Sequence, residues 1–143
     1  MEKLLIFKIS KIRFALPVKK IIEVKPFGDI RIDHNQEWPV IGKVDVRRVE
    51  VVVIDLLAYL ATERRKREDY SDSKEVVVLS LGDLIYGFIV DITLGVIEID
   101  SRSVLPLPRY LPGVKKEFYQ GLKRINSELT LLLNYEYLFE RRR

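Results

Sequence analysis

The sequence predicts a mainly β protein made of two similar small barrels that share one core, with few and short helices. The first observation is a series of short runs of β-branched and aromatic residues separated by turns, which is typical of strands. The second is an internal repeat, in which two stretches of the chain match later stretches without gaps. The third is a thin helical pattern, limited to 56–67 and to the segment from Tyr135 onwards. Because long crossover helices are missing, the sheets should be antiparallel.

Short turn sequences join most of the predicted strands into hairpins. Gly82-Asp83 lies between two apolar runs and indicates a tight turn, as do Ser10-Lys11 and Asn126-Ser127. The predicted strands are Leu4–Ile9, Ile12–Leu16, Ile21–Phe27, Lys43–Arg47, Val49–Asp55, Glu75–Leu81, Leu84–Val90, Thr93–Asp100, Gln120–Ile125 and Glu128–Asn134.

The internal repeat predicts the domain organisation. A shift of 72 positions places Leu5–Val24 on Val77–Val96, and a shift of 79 places Val52–Asp55 on Leu131–Asn134. A short helical segment follows the second match in both copies. We therefore predict a single domain over residues 1–143, with a first barrel at about 12–70, a second at about 75–125, and terminal strands that can exchange between them.

Composition removes most catalytic chemistry. Cysteine is absent and His34 is the only histidine, which excludes disulfides, thiol nucleophiles, cysteine-ligated metals and multi-histidine metal sites. The common nucleotide-binding, zinc-protease and serine-hydrolase motifs are also absent. His34 beside Asp33 is compatible with a general base, but an exposed loop histidine is the better interpretation. We expect no catalytic residue, no metal, no cofactor and no enzymatic activity.

The formal net charge of +4 comes from two basic runs. Arg64–Arg67 and Arg141–Arg143 supply 7 of the 25 basic residues, and without them 18 bases face 21 acids, a net charge of −3. A nucleic-acid surface would spread positive charge over one face and interleave it with aromatic side chains. We interpret the runs as solvated segments, and we keep a small-barrel nucleic-acid-binding protein as the alternative.

The apolar stretches of the sequence are short. The longest have four or five residues, whereas roughly 20 are needed to span a bilayer. The N-terminal apolar segment is also too short for a secretory signal. We expect a cytoplasmic protein without membrane insertion.

Two further segments each allow two interpretations. Trp38 is either a partner anchor or an edge residue packed beneath a loop, and we favour the second. Val104–Pro112 is either a polyproline ligand or an extended crossover stiffened by proline, and we again favour the second.

The order and spacing of several segments, over about Leu4 to Phe139, resemble the CheW-like adaptor domain of bacterial chemosensory systems. The middle of the chain resembles the family signature "G-x-x-N-L-R-G … v-v-D-L", and a later strand resembles "x-G-x-x-V-D". The segments that carry the resemblance are Leu4–Phe7, Phe14–Val18, Ile21–Val24, Gly42–Val49, Val53–Leu56, Tyr86–Asp91, Tyr119–Leu122 and Leu131–Asn134.

The resemblance implies two five-stranded barrels with a shared hydrophobic interface and no enzymatic activity. It implies an adaptor that couples the cytoplasmic tip of a methyl-accepting chemoreceptor to the regulatory domain of a CheA-type histidine kinase. In such proteins a helical hairpin tip lies in the groove between barrels, and another edge pairs with the kinase's homologous domain. No receiver, kinase or effector domain is recognised, so we expect a free-standing adaptor. A CheW-like scaffold of pilus motility is an alternative.

The resemblance also gives candidate partner-binding residues. Arg47 matches the signature arginine and Glu23 matches the acidic residue of the third strand. We expect them to form an ion pair at the receptor groove, with Ile21 and Val24 supplying apolar contacts. For the last two residues a plain core position is an equal alternative, because alternation does not say which face is buried.

Three positions depart from the family pattern. Asp45 stands where Asn is usual, Arg48 replaces the turn glycine, and Val52 stands where Pro is often found. Because glycine favours positive φ, we expect a turn of a different type around Arg48.

Overall fold

The computed structural model describes residues 1–37, 39–61, 70–108 and 115–140, and within them it shows a mainly β fold with two short helices. The helices are α1 (Leu56–Ala61) and α2 (Tyr135–Glu140). The strands are β1 (Glu2–Ile9), β2 (Ile12–Pro17), β3 (Ile21–Pro26), β4 (Arg31–Ile32), β5 (Val40–Val46), β6 (Val49–Ile54), β7 (Glu75–Leu81), β8 (Leu84–Val90), β9 (Ile92–Ile99), β10 (Tyr119–Ile125) and β11 (Glu128–Leu133).

The strands form two curled sheets, and the chain divides into two compact units. One unit joins Met1–Lys19 to Thr93–Arg143 and holds a five-stranded sheet of order β10-β11-β2-β1-β9. The other is Lys20–Ile92 and holds a six-stranded sheet of order β3-β7-β8-β6-β5-β4. These bounds differ from the predicted barrels at 12–70 and 75–125, because the hairpin β1–β2 belongs with the end of the chain.

The internal repeat explains this division. A shift of 79 places β5, β6 and α1 on β10, β11 and α2 with identical bounds, and a shift of 72 places β1 and β2 on β7 and β8. The strand order β5-β6-β8-β7-β3 therefore repeats β10-β11-β2-β1-β9. The first hairpin of each half is exchanged: β1–β2 joins the sheet of β10 and β11, and β7–β8 joins the sheet of β5 and β6. The join is parallel in both, so the prediction of antiparallel sheets is wrong at these positions: Val53 lies opposite Gly87, and Leu132 lies opposite Ala15.

Each unit has its own apolar cluster beneath its sheet. In the unit Lys20–Ile92 the cluster includes Val44, Val53, Val78 and Ile89, all fully buried. A Cβ atom on Gly87 would lie 3.0 Å from a methyl group of Val76, so a small residue is required at this crowded position. The cluster of the other unit is made of Leu4, Ile6, Ala15, Ile99, Ile125 and Leu132.

The two helices begin in the same way. The carboxylate of Asp55 accepts a hydrogen bond from the backbone N–H of Ala58 at 3.0 Å, and Asn134 accepts one from Tyr137 at 3.4 Å. Both side chains satisfy backbone donors that the first turn of a helix leaves without a partner. The matched helical segments of the repeat thus share an N-cap.

Two short segments cover the outer edges of β5 and β10, and we call residues 31–32 and 104–105 the straps. Arg31 and Ile32 pair with Lys43 and Gly42, and Leu105 pairs with Leu122 through two hydrogen bonds of 2.8 Å. Apart from the strap side, the outermost strands of the two sheets are β3 and β9, and we call them the open edges because no described strand pairs with their outer side.

Candidate partner-binding surfaces

The β3 edge contains three of the four predicted site residues, but it divides them between two faces. Ile21 pairs with Leu79 and Val24 pairs with Val77, whereas Glu23 pairs with Val78. Because neighbouring residues of β7 alternate in direction, Ile21 and Val24 share one face and Glu23 lies on the other. A bulge between Ile21 and Glu23 puts two residues three positions apart on the same face.

The two apolar residues of this edge are half-buried beside fully buried neighbours. Leu79 and Val77 have no exposed surface, while Ile21 and Val24 keep part of theirs. The structure therefore places both residues at the rim of the packed interior. Each has a buried part that packs as core and an exposed part that can contact a partner.

Glu23 pairs within its own strand. Its carboxylate lies 3.9 Å from Nζ of Lys25, which lies 3.9 Å from the carboxylate of Asp29. No ion pair joins Glu23 to Arg47 among the described residues. Glu23 therefore pairs with Lys25 instead of the predicted Arg47, because side chains at i and i+2 of a strand share a face.

Arg47 lies at the tip of the β5–β6 hairpin, away from β3 in the strand order. Arg47 has φ of 51° and Arg48 has φ of 69°, and both residues are exposed. Positive φ at both central residues is the pattern of a type I′ turn, which matches the twist of the flanking strands. The expectation of a different turn type without glycine is therefore corrected: this hairpin takes the positive-φ geometry with two arginines.

Asp45, where the family signature has asparagine, belongs to a surface network of charges. Arg31 donates to both carboxylate oxygens of Asp45, at 2.9 and 3.1 Å, and to Glu50 at 3.0 Å. Lys43 donates to the other oxygen of Glu50 at 3.3 Å. The two carboxylates raise the pKa of the Arg31 guanidinium, with Asp45 the larger influence. The network ties the strap to the β5–β6 hairpin.

The β9 edge carries a surface that the sequence analysis did not identify. Ile92, Leu94 and Val96 are 46%, 47% and 53% exposed and, spaced by two, follow one face of the strand. The available signal was this alternation of apolar residues, which equally describes a strand with a buried face. We call these three residues the β9 stripe.

The remaining sequence candidates do not assemble a reactive site. His34 is exposed, and the carboxylate of Asp33 accepts from the backbone of Asn35 at 2.9 Å and from the amide of Gln36 at 3.1 Å. These bonds lower the pKa of Asp33, while burial raises the pKa of Tyr119 to about 12. Both pKa values move away from neutral pH, whereas the pKa of a general acid or base is usually shifted toward it.

The described residues contain no group of three or more His, Asp or Glu side chains placed to hold a metal ion. No helix in the described ranges combines the length and the apolar character needed to cross a membrane. Trp38, Arg64–Arg67 and Arg141–Arg143 lie outside the described residues, as does 109–112, the end of the proline-containing segment. The beginning of the segment Val104–Pro112 forms the strap at Leu105, as an extended crossover would.

The comparison with protein families decides the assignment, because a model of the CheW-like domain matches residues 3–143. The chain belongs to the CheW-like domain family. Similar proteins include the Chemotaxis protein CheW of Klebsiella aerogenes, 23% identical over 96% of this chain and 81% of the relative. The Probable chemotaxis protein CheW of Rhizobium etli is 20% identical over 96% of this chain and 87% of the relative.

A solved structure confirms the CheW-like fold. The crystal structure of the scaffolding protein TtCheW from Thermoanaerobacter tengcongensis matches with a TM-score of 0.78 and 22% sequence identity. The match covers 97% of this chain and 88% of that protein. The mainly β architecture predicted from the sequence is therefore confirmed.

Proposed function

We propose that this protein is a non-enzymatic cytoplasmic adaptor that couples the tip of a chemoreceptor to the regulatory domain of a CheA-type histidine kinase. Membership of the CheW-like family supports an adaptor or scaffold. An adaptor needs two separate surfaces, so that one partner does not exclude the other.

The observation that carries the proposal is the pair of open sheet edges. The edge at β3 combines half-buried Ile21 and Val24 with charged Glu23 and Lys25, whereas the β9 edge presents the exposed apolar β9 stripe. Edge strands leave backbone N–H and C=O groups available for an added strand. The chain thus has two chemically different edges in two different sheets.

We assign one partner to each edge. The receptor tip is assigned to the β3 edge, where Ile21 and Val24 supply apolar contacts and Glu23 an ionic one, and to Arg47 as a separate contact point at the tip of the β5–β6 hairpin. The kinase domain is assigned to β9, because strand addition supplies hydrogen bonds and the β9 stripe supplies apolar contact. Each contact holds its partner without any chemical reaction.

The test measures binding of the purified chain to a receptor-tip hairpin and to a kinase regulatory domain, both from the genome that encodes it. Leu94→Lys should weaken kinase-domain binding at least about tenfold, since it places a charge in an apolar contact. Leu129→Lys is the matched control, because Leu129 is 56% exposed on β11, a strand inside the sheet. Arg47→Ala should weaken receptor-tip binding and leave the melting temperature nearly unchanged.

The outcomes separate the function from the assignment of edges. Loss of receptor-tip rather than kinase binding in Leu94→Lys would reverse the two edges while keeping the adaptor. Failure of the wild-type chain to bind either partner, together with retention on DNA at physiological salt, would replace the adaptor by the nucleic-acid alternative. Binding to a kinase and receptor of a pilus-motility system instead would identify that pathway.

A further inference from the structure

The turn Arg47-Arg48 has an unfavourable backbone for its residues. At the equivalent turn, 79 positions later, Asn126 and Ser127 have φ of 52° and 67°, almost the same angles. Asparagine adopts positive φ more readily than long side chains do, because its short amide bonds to the nearby backbone. The fold requires this geometry at both hairpins, but it does not require arginine.

The two arginines also lack the charged partners that their neighbours have. Asp45 and Glu50, the carboxylates beside this turn, are already bound by Arg31 and Lys43 at 2.9–3.3 Å. Arg47 and Arg48 have no ion pair with any described residue. The tip therefore presents two exposed arginines that make no ion pair within the described chain.

The surroundings of the turn limit the kind of anion that fits. Val49, the next residue, is 51% exposed and offers apolar contact. Asp45 and Glu50 are already paired with Arg31 and Lys43, so an incoming carboxylate meets no unpaired negative charge beside the turn. A carboxylate also accepts two parallel hydrogen bonds from one guanidinium.

We propose that Arg48 selects the receptor: its guanidinium binds an acidic side chain that lies next to an apolar one on the helical tip docked at Arg47. The inference rests on the proposed function and adds to it the chemistry of the partner. Arg48 is thus a specificity residue, in a position where the fold alone favours glycine or asparagine.

The experiment separates the charge of the residue from its backbone strain. Arg48→Gly removes both, Arg48→Glu keeps the strain and reverses the charge, and Ser127→Gly removes the strain at the equivalent turn without changing any charge. Affinity for the receptor-tip hairpin is measured at low and high salt, and the melting temperature is measured for each variant.

Arg48→Gly should raise the melting temperature by about 3 °C, as relief of strain predicts for a chain of this size. It should nevertheless weaken receptor-tip binding about tenfold and flatten its salt dependence. Arg48→Glu should bind still more weakly at an unchanged melting temperature. Ser127→Gly should bind like the wild type.

Each result bears on one statement. Wild-type affinity in Arg48→Gly and Arg48→Glu would overturn the role of Arg48 while the adaptor function stands. Loss of affinity in Ser127→Gly as well would make strain rather than charge the cause and overturn it too. If the wild-type chain binds no receptor tip, the proposed function fails and the role of Arg48 fails with it.

Discussion

The hairpins β5–β6 and β10–β11 have the same backbone built from different residues. Strand bounds coincide at a shift of 79, and the turn φ angles agree within 2°. Gly42 and Gly121, which face the straps, also coincide. The residue types of the two turns differ, with Arg47-Arg48 in one and Asn126-Ser127 in the other. Positions that the backbone requires are therefore shared by the two copies, whereas exposed positions differ and are available for partners.

The open edges β3 and β9 also combine an equivalent position in the fold with different residues. Both are the last strands of their sheets, yet β3 has a bulge, Lys25 and Pro26, features that discourage addition of another strand. β9 has the exposed β9 stripe and no lysine or proline. The two edges are equivalent in topology and opposite in their readiness to accept a strand.

The strap glycines give the largest expected effect. A Cβ atom on Gly42 would collide with the backbone of Arg31 and Ile32, and one on Gly121 would collide with Leu105 and a methyl group of Val104. Gly42→Ala and Gly121→Ala should each lower the free energy of unfolding by about 1–3 kcal/mol. Gly121→Ala should be the worse, because Gly121 meets backbone as Gly42 does and also has φ of 158°, which L side chains rarely adopt.

Chemical denaturation measures this difference, and Gly28→Ala is the control. Gly28 has open space around its Cα, so alanine there should change stability by no more than about 0.5 kcal/mol. Equal stabilities of Gly28→Ala and Gly42→Ala would show that the strap yields without cost.

A smaller effect is expected where the two cores differ by one hydroxyl. Val51 and Thr130 are equivalent and fully or almost fully buried, but the Thr130 hydroxyl has no hydrogen-bond partner among the described residues. Thr130→Val should raise the free energy of unfolding by about 1 kcal/mol, because it removes an unpaired buried polar group. Val51→Thr should lower it by about 1–2 kcal/mol. If Thr130→Val proves destabilising instead, the hydroxyl has a bonding partner in solution.

Sequence reasoning found the repeated elements because each has a strong local signal. Apolar runs and turn residues predicted the hairpin strands within three residues of their bounds. The strand β4 was missed because its two residues lie in a polar segment and pair only where Gly42 permits close approach. The face of Glu23 was not predictable either, since the bulge beside it changes the alternation. The β9 stripe escaped because exposure depends on what covers a strand, which periodicity does not contain.

The smallest effect concerns two carboxylates whose pKa values are lowered by different partners. Asp33 is bound by the backbone of Asn35 and the amide of Gln36, both neutral. Asp100 is bound by the guanidinium and then the backbone N–H of Arg102, with a shortest distance of 2.8 Å. In each case the folded-state pKa lies below the unfolded value, so the stabilisation is present above the unfolded pKa, about 3.9. It is lost as the pH falls through the folded pKa.

Carboxyl titration by NMR at low and high salt should distinguish the two aspartates. Salt screens the attraction between Asp100 and Arg102, both accessible to solvent, so the pKa of Asp100 should move back toward its ordinary value at about 1 M salt. The pKa of Asp33 should change much less, because its hydrogen bonds come mainly from uncharged donors. Arg102→Gln provides the control, since it should raise the pKa of Asp100 and remove most of its salt dependence. An equal response of both aspartates to salt would mean that general charge, rather than the individual partner, sets the two pKa values.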